Sequence, residues 1–151
     1  MIFDRTQNDV DTAIRIRAEK VQTFAELTDA DVTALERGTI TINTLNRVEE
    51  KQEELKNIFN DMGYWNTPII NKAWDATQIF DVDDLERIFS NTEVLKQAFY
   101  EYKSTPKTPT ARYHYQNIND IEKILYDLDK MIEDVKSRFR ECGTFECGED
   151  E

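Results

Sequence analysis

The chain has 151 residues, 33% of them charged and 39% apolar, with only four glycines and three prolines. That length carries one core-bearing domain, and eight Phe, six Tyr and two Trp are more aromatic surface than a disordered acidic chain holds. A formal charge of −12 repels polyanions, and the basic clusters Arg15/Arg17/Lys20 and Lys136/Arg138/Arg140 are interleaved with acids, so no nucleic-acid surface is expected.

In chain order, Asp4 followed by Gln7 resembles a helix-capping pattern, and Val10, Ile14, Val21 and Phe24 recur at roughly helical spacing, predicting a helix over about 6–24. Thr28, two aspartates, Val32, Leu35 and Gly38 read as a short capped helix ended by a glycine C-cap. The β-branched run Thr39-Ile40-Thr41-Ile42 then reads as an extended link.

From Leu45 a motif begins that occurs again 40 residues later (45 to 85) without a gap. Leu45, Val48, Leu55 and Phe59 are matched by Leu85, Ile88, Leu95 and Phe99, and each set lies on one helical stripe. Asp81 caps the second copy, and Asp83 and Asp84 occupy its first turn, where carboxylates suit the helix N-terminus. A weaker third copy places Ile118, Ile121, Leu128 and Ile132 at the same positions, with Asn119 and Glu122 matching Asn46 and Glu49. The middle of the stripe is Gln52, then Thr92, then Leu125, so the last copy alone lacks a polar interruption.

Between the copies, Gly63 to Pro68 stops one helix and leads into an aromatic connection containing Trp74. Lys103 to Gln116, with Pro106 and Pro109, reads as an exposed loop before Asn117 or Asn119 restarts the helix. The final helix, about 118–142, has an apolar stripe wide enough for a bundle interior or a multi-helix interface. The expectation is an all-α bundle of about five helices over 1–142, with long aromatic connections and a short extended acidic tail over 143–151.

Catalytic chemistry finds little support. His114 is the single histidine, Cys142 and Cys147 lack the further ligands of a zinc site, and the Asp81 to Glu86 run lacks the glycine and spacing of a calcium loop. No glycine-rich phosphate loop occurs either, so neither an enzyme nor a bound cofactor or metal is expected. The two cysteines are too few for a disulfide scaffold, and their pairing stays open. There is no secretion signal and no run of 18 apolar residues, so no membrane contact is expected. Trp65, Trp74, Tyr113, Tyr115 and Phe145, at the connections and in the tail, are candidate contact residues, with sealing of the bundle ends as the alternative for the loop aromatics.

Taken in order, Ile2-Phe3-Asp4-Arg5-Thr6-Gln7, Leu45-Asn46-Arg47-Val48-Glu49, the Gly63-Tyr64 stop, Trp74, Leu85-Glu86-Arg87-Ile88 and Asn119 to Asp127 resemble tail-associated structural proteins of phages and prophages of Gram-positive bacteria. The resemblance spans most of the chain. It implies a virion protein of the tail, baseplate or fibre-attachment apparatus, or of a related contractile particle, made in the host cytoplasm. Its partners would be other tail or baseplate proteins and further copies of itself in a symmetric assembly. It brings no catalytic residues. The charge leaves a rival: a soluble acidic inhibitor or regulator that binds a basic protein as a nucleic-acid mimic.

Overall fold

A computed structural model describes residues 1–64, 69–110 and 114–142, with side chains described only as far as 138. The chain is all-helical: α1 (Gln7–Ile16), α2 (Asp29–Gly38), α3 (Ile42–Asp61), α4 (Val82–Ala98) and α5 (Tyr115–Cys142). No strand occurs among the described residues. The expected tail over 143–151 lies outside the described residues.

The helix starts obey capping chemistry. Thr6, Thr28 and Asp81 each accept a hydrogen bond from the backbone N–H three residues on, and an aspartate there reaches back to the cap. The first cap is thus Thr6 with Asp9, not the Asp4/Gln7 pair that the sequence suggests. A cap must itself be extended, and Thr6 has φ −117° and ψ 166°. Thr41 starts α3 by accepting from Thr44 N–H, so Ile42 belongs to the helix and the extended link is shorter than expected.

α1 also departs from its expected length. After Ile16 it widens into a π-helical turn, Arg17–Val21, and ends. A π turn adds a residue per turn and rotates the later residues off the original stripe. Ala13 and Ile16 are the buried residues, whereas Ile14, ahead of the π turn, and Val21 and Phe24 are exposed. Gly38 does not end α2 in the left-handed manner, because the cap residue is Thr39 with φ −132°. A Cβ at Gly38 would sit 2.1 Å from the Asp9 carbonyl oxygen and 2.4 Å from the Ala13 Cβ. The glycine is there to let α1 and α2 touch.

The main core belongs to α3, α4 and α5. Leu45, Leu85 and Ile118, then Val48, Ile88 and Ile121, then Leu55, Leu95 and Leu128 are all buried in one cluster, joined by Phe59 and Ile132. Phe99 lies just past the end of α4 in extended backbone, half-buried, and still stacks on Phe59 with ring centroids 5.2 Å apart. Gln52 and Thr92, the polar interruptions, are both fully buried and bond each other at 2.8 Å.

These contacts set the helix directions. Residues of α3 and α4 at or next to matching motif positions meet near the start (Glu49 with Arg87), in the middle (Gln52 with Thr92) and at the end (Phe59 with Phe99). Along α5, Arg47 meets Glu122 and Lys51 meets Asp129. Both series run in the same sense, so α3, α4 and α5 are parallel and in register. Parallel neighbours require each connection to travel back the length of a helix. That is why the two connections, 62–81 and 99–114, are long.

Candidate functional site

The returning connections lie in the grooves between helices. From 69 to 74 the chain passes Asn91, then Glu53 and Glu49, then Asn46, running backward along α3 and α4. From 102 to 109 it passes Asp134, then Asp127, with Lys96 on the Pro106 carbonyl, running backward between α4 and α5. The third groove, between α5 and α3, is filled by the N-terminal residues: Met1 beside Lys51 and Asp129, Phe3 against Tyr126 at 5.1 Å, and Arg5 on Asn119. Each pair of parallel helices thus carries one strap antiparallel to it.

Two of these straps are fastened by the same device. Asn46 accepts from the Trp74 N–H at 2.8 Å and donates to the Trp74 carbonyl at 3.0 Å. Asn119, the matching residue of α5, accepts from the Arg5 N–H at 3.3 Å and donates to the Arg5 carbonyl at 2.9 Å. A primary amide offers both a donor and an acceptor, so one side chain satisfies both backbone groups of the strap residue.

The fastened residue then turns its side chain onto a buried carboxylate one helical turn along. Trp74 Nε1 donates to Glu49 at 2.8 Å, and Arg5 Nη1 donates to Glu122. The side chains of Glu49 and Glu122 are 1% and 0% exposed. Each is also gripped by the motif arginine of a neighbouring helix: Arg87 reaches Glu49 at 2.6 Å, and Arg47 reaches Glu122 at 2.7 Å. A buried carboxylate without such partners would be strongly disfavoured. Beside Glu49, burial pushes the Asp84 carboxyl up, but Lys72, the Asp81 N–H and Arg87 outweigh it and hold it below the usual aspartate range. Arg87 is raised by its hydrogen bonds to Glu49.

At the groove between α4 and α5 the same three positions carry Glu86, Phe89 and Asp120 in place of asparagine, glutamate and arginine. Phe89 is buried, and the groove beside it, with Glu86, Ser90, Glu93 and the strap residues Lys107 to Thr110, encloses about 610 Å³. Burial raises the Asp120 carboxyl. The strap here is held by Thr105 on Asp127 at 3.0 Å, Lys96 on the Pro106 carbonyl at 3.0 Å and Tyr102 on Asp134.

The candidate contact residues are dispersed. Trp74 is buried under Phe80 and committed to Glu49, a core position and not a free surface. Tyr115 is half-buried at the start of α5 beside His114. Trp65, Tyr113 and Phe145 lie outside the described residues. The exposed apolar side chains occur elsewhere: Ile14 (58%), Phe24 (97%) and Val32 (46%), with Val21 and Leu27, on the α1–α2 hairpin, and Ile70 (73%), Ile79 (90%) and Tyr100 (69%) on the two long connections. Phe24 also has a positive φ of 56°, uncommon for a bulky residue. The apolar residues of 14–32 were visible in the sequence, but helical spacing does not say whether a stripe is covered or exposed.

No family model, curated protein or solved structure matches this chain. Among the described residues no helix is long and apolar enough to cross a membrane, and no group of three or more His, Cys, Asp or Glu gathers as a metal site would.

Proposed function

We propose that the chain is a structural protein of a phage tail, baseplate or fibre-attachment apparatus, or of a related contractile particle, that works by docking to neighbouring subunits, further copies of itself included. The observation that carries this reading is the exposed apolar set of the α1–α2 hairpin, with Phe24 97% exposed beside a bundle whose own apolar stripes are buried. Contiguous exposed apolar surface marks association sites, and five exposed apolar side chains lie on this one hairpin. The resemblance of the ordered motifs to tail-associated proteins supports the setting.

Mass spectrometry of purified particles from the host that carries the gene tests the proposal: the chain should be present in stoichiometric amount, and its absence would overturn the reading. Salt separates it from the acidic-mimic alternative. Apolar docking should persist from low to high ionic strength, whereas a complex held by the −12 charge should dissociate. Release of the partner by salt would replace the first reading with the second.

A further inference from the structure

The α1–α2 hairpin is two helices without a third layer. Its buried residues are Ala13, Ile16 and Gly38, and the core cluster of the bundle takes in no residue between 7 and 38. An apolar helix face leaves water only against another element, and here Ile14, Val21, Phe24, Leu27 and Val32 have none. Most of them share one side. Val10, Ile14, Arg17 and Val21 follow one another at steps of three or four residues, which is one face of a helix. In α2, Asp31 and Gly38 face α1, where they meet Lys20 and Ala13. Val32 follows Asp31 by one residue, as Ile14 follows Ala13, and in an antiparallel helix pair equal offsets fall on the same side. Asp29, three residues before Val32, borders that side, and Phe24 and Leu27 lie at the tip.

The pattern on this face complements itself. Lys20 and Asp31 form an ion pair at 2.5 Å and so stand level along the hairpin. From that level Arg17 lies three residues toward the base and Asp29 two toward the tip. Val32 lies one toward the base and Val21 one toward the tip, and Ile14 lies six toward the base and Phe24 four toward the tip. A two-fold axis at the same level therefore sets Arg17 against Asp29, Val32 against Val21 and Ile14 against Phe24 of a second copy. Among the described residues neither Arg17 nor Asp29 has an ion-pair partner within its own chain. In that arrangement the tip of one hairpin ends near the level of Ile14 of the other, short of the bundle.

We propose that the hairpin pairs with the hairpin of a second copy of this chain, antiparallel about a two-fold axis, so that four helices enclose the apolar face and Arg17 of each copy meets Asp29 of the other. The inference rests on the docking role proposed above and names the partner at that surface. From Val10 to its tip the hairpin is about 22 Å long and two helices, about 20 Å, wide. A pair then buries about 1,000 Å² in all, the lower end for a specific interface, so the dimer is weak and builds up with concentration.

The test is sedimentation equilibrium of the full chain from about 10 µM to about 1 mM, where the mass should rise from 17.8 kDa toward twice that value. Val32→Glu puts a carboxylate on the face at an exposed position, and should hold the chain monomeric with its thermal melt unchanged. A charge swap tests the pairing itself. Arg17→Glu and Asp29→Arg should each weaken the dimer about five- to tenfold, and an equimolar mixture of the two variants should recover parental affinity, because every glutamate or aspartate then faces an arginine. A chain that stays monomeric over the whole range overturns the proposal. So does a dimer that Val32→Glu leaves intact, or a mixture that associates no better than either variant alone. A monomeric chain that is nevertheless present in purified particles overturns this pairing and leaves the tail role standing. A chain that dimerises as described but is absent from particles overturns the tail role alone.

Discussion

The grooves served by Glu49 and Glu122 and the groove served by Phe89 solve one packing problem by opposite means. In the first two, an amide fastens the strap and a buried carboxylate gathers donors from the strap and from the neighbouring helix. In the third, a phenyl ring replaces the carboxylate, and the arginine position becomes Asp120. The replacements are consistent with one another: once the carboxylate is gone, an arginine there would be a partly buried cation without that partner. Ion pairs and apolar packing are thus interchangeable in this architecture only as complete sets.

The sharpest way to break that comparison is to spoil one set. Glu49→Ala leaves Arg87, Trp74 Nε1 and the Lys72 N–H without their acceptor, and should cost about 3–5 kcal/mol in urea unfolding, the range for breaking a buried ion pair. Adding Arg87→Met to Glu49→Leu should restore part of that loss, because the pair is then removed together. A double variant no more stable than Glu49→Ala would show that the sets are not interchangeable.

Next in size is the amide fastening. Asn46→Ala and Asn119→Ala each unpair a strap N–H and carbonyl, and should cost about 1–3 kcal/mol. Glu86→Ala, at the matching exposed position of α4, should stay within about 0.5 kcal/mol of the parent.

Acid titration gives a smaller, signed effect. The Asp84 pKa is lower in the folded chain than its ordinary 3.8, so its contribution is fully present above that value and is lost as the pH falls through the folded pKa. Melting temperature should therefore drop less for Asp84→Asn than for the parent between about pH 5 and pH 2. Asp120 has the opposite sign: burial raises its pKa, so the charged form opposes folding at neutral pH. Asp120→Asn should raise the melting temperature slightly at pH 7 and make no difference once the parent is protonated. The smallest effect on stability belongs to Phe24→Ser, within about 0.5 kcal/mol, because the side chain is 97% exposed. The same substitution should weaken association, measured by light scattering of the chain with its partner.

Much of the bundle was legible in the sequence, because the apolar layers repeat at fixed offsets and Gln52 and Thr92 mark the same level. What periodicity could not show was direction. A stripe at helical spacing fits parallel or antiparallel neighbours equally well. The straps escaped for a related reason: Arg5 and Glu122 are 117 residues apart, and no local pattern records such a pairing. The matching of Asn119 and Glu122 with Asn46 and Glu49 was visible, but its meaning depended on the backbone that those side chains hold. Gly38 and the π turn after Ile16 were misjudged because close helix contact and register shift are tertiary effects that leave no spacing signal.

The in-register bundle and its straps depend most directly on α3 and α4 being parallel, and spin-label distances test that. With Cys142 and Cys147 changed to serine, labels are placed at exposed Asn60 and Gln97 in one sample and at Asn60 and exposed Glu86 in another. Parallel helices put Asn60 nearer to Gln97, whereas Glu86 lies further by much of a helix length, about 15–20 Å along the axis. The shorter distance should be the 60–97 pair. A shorter 60–86 distance would mean antiparallel helices and would contradict both the register and the straps.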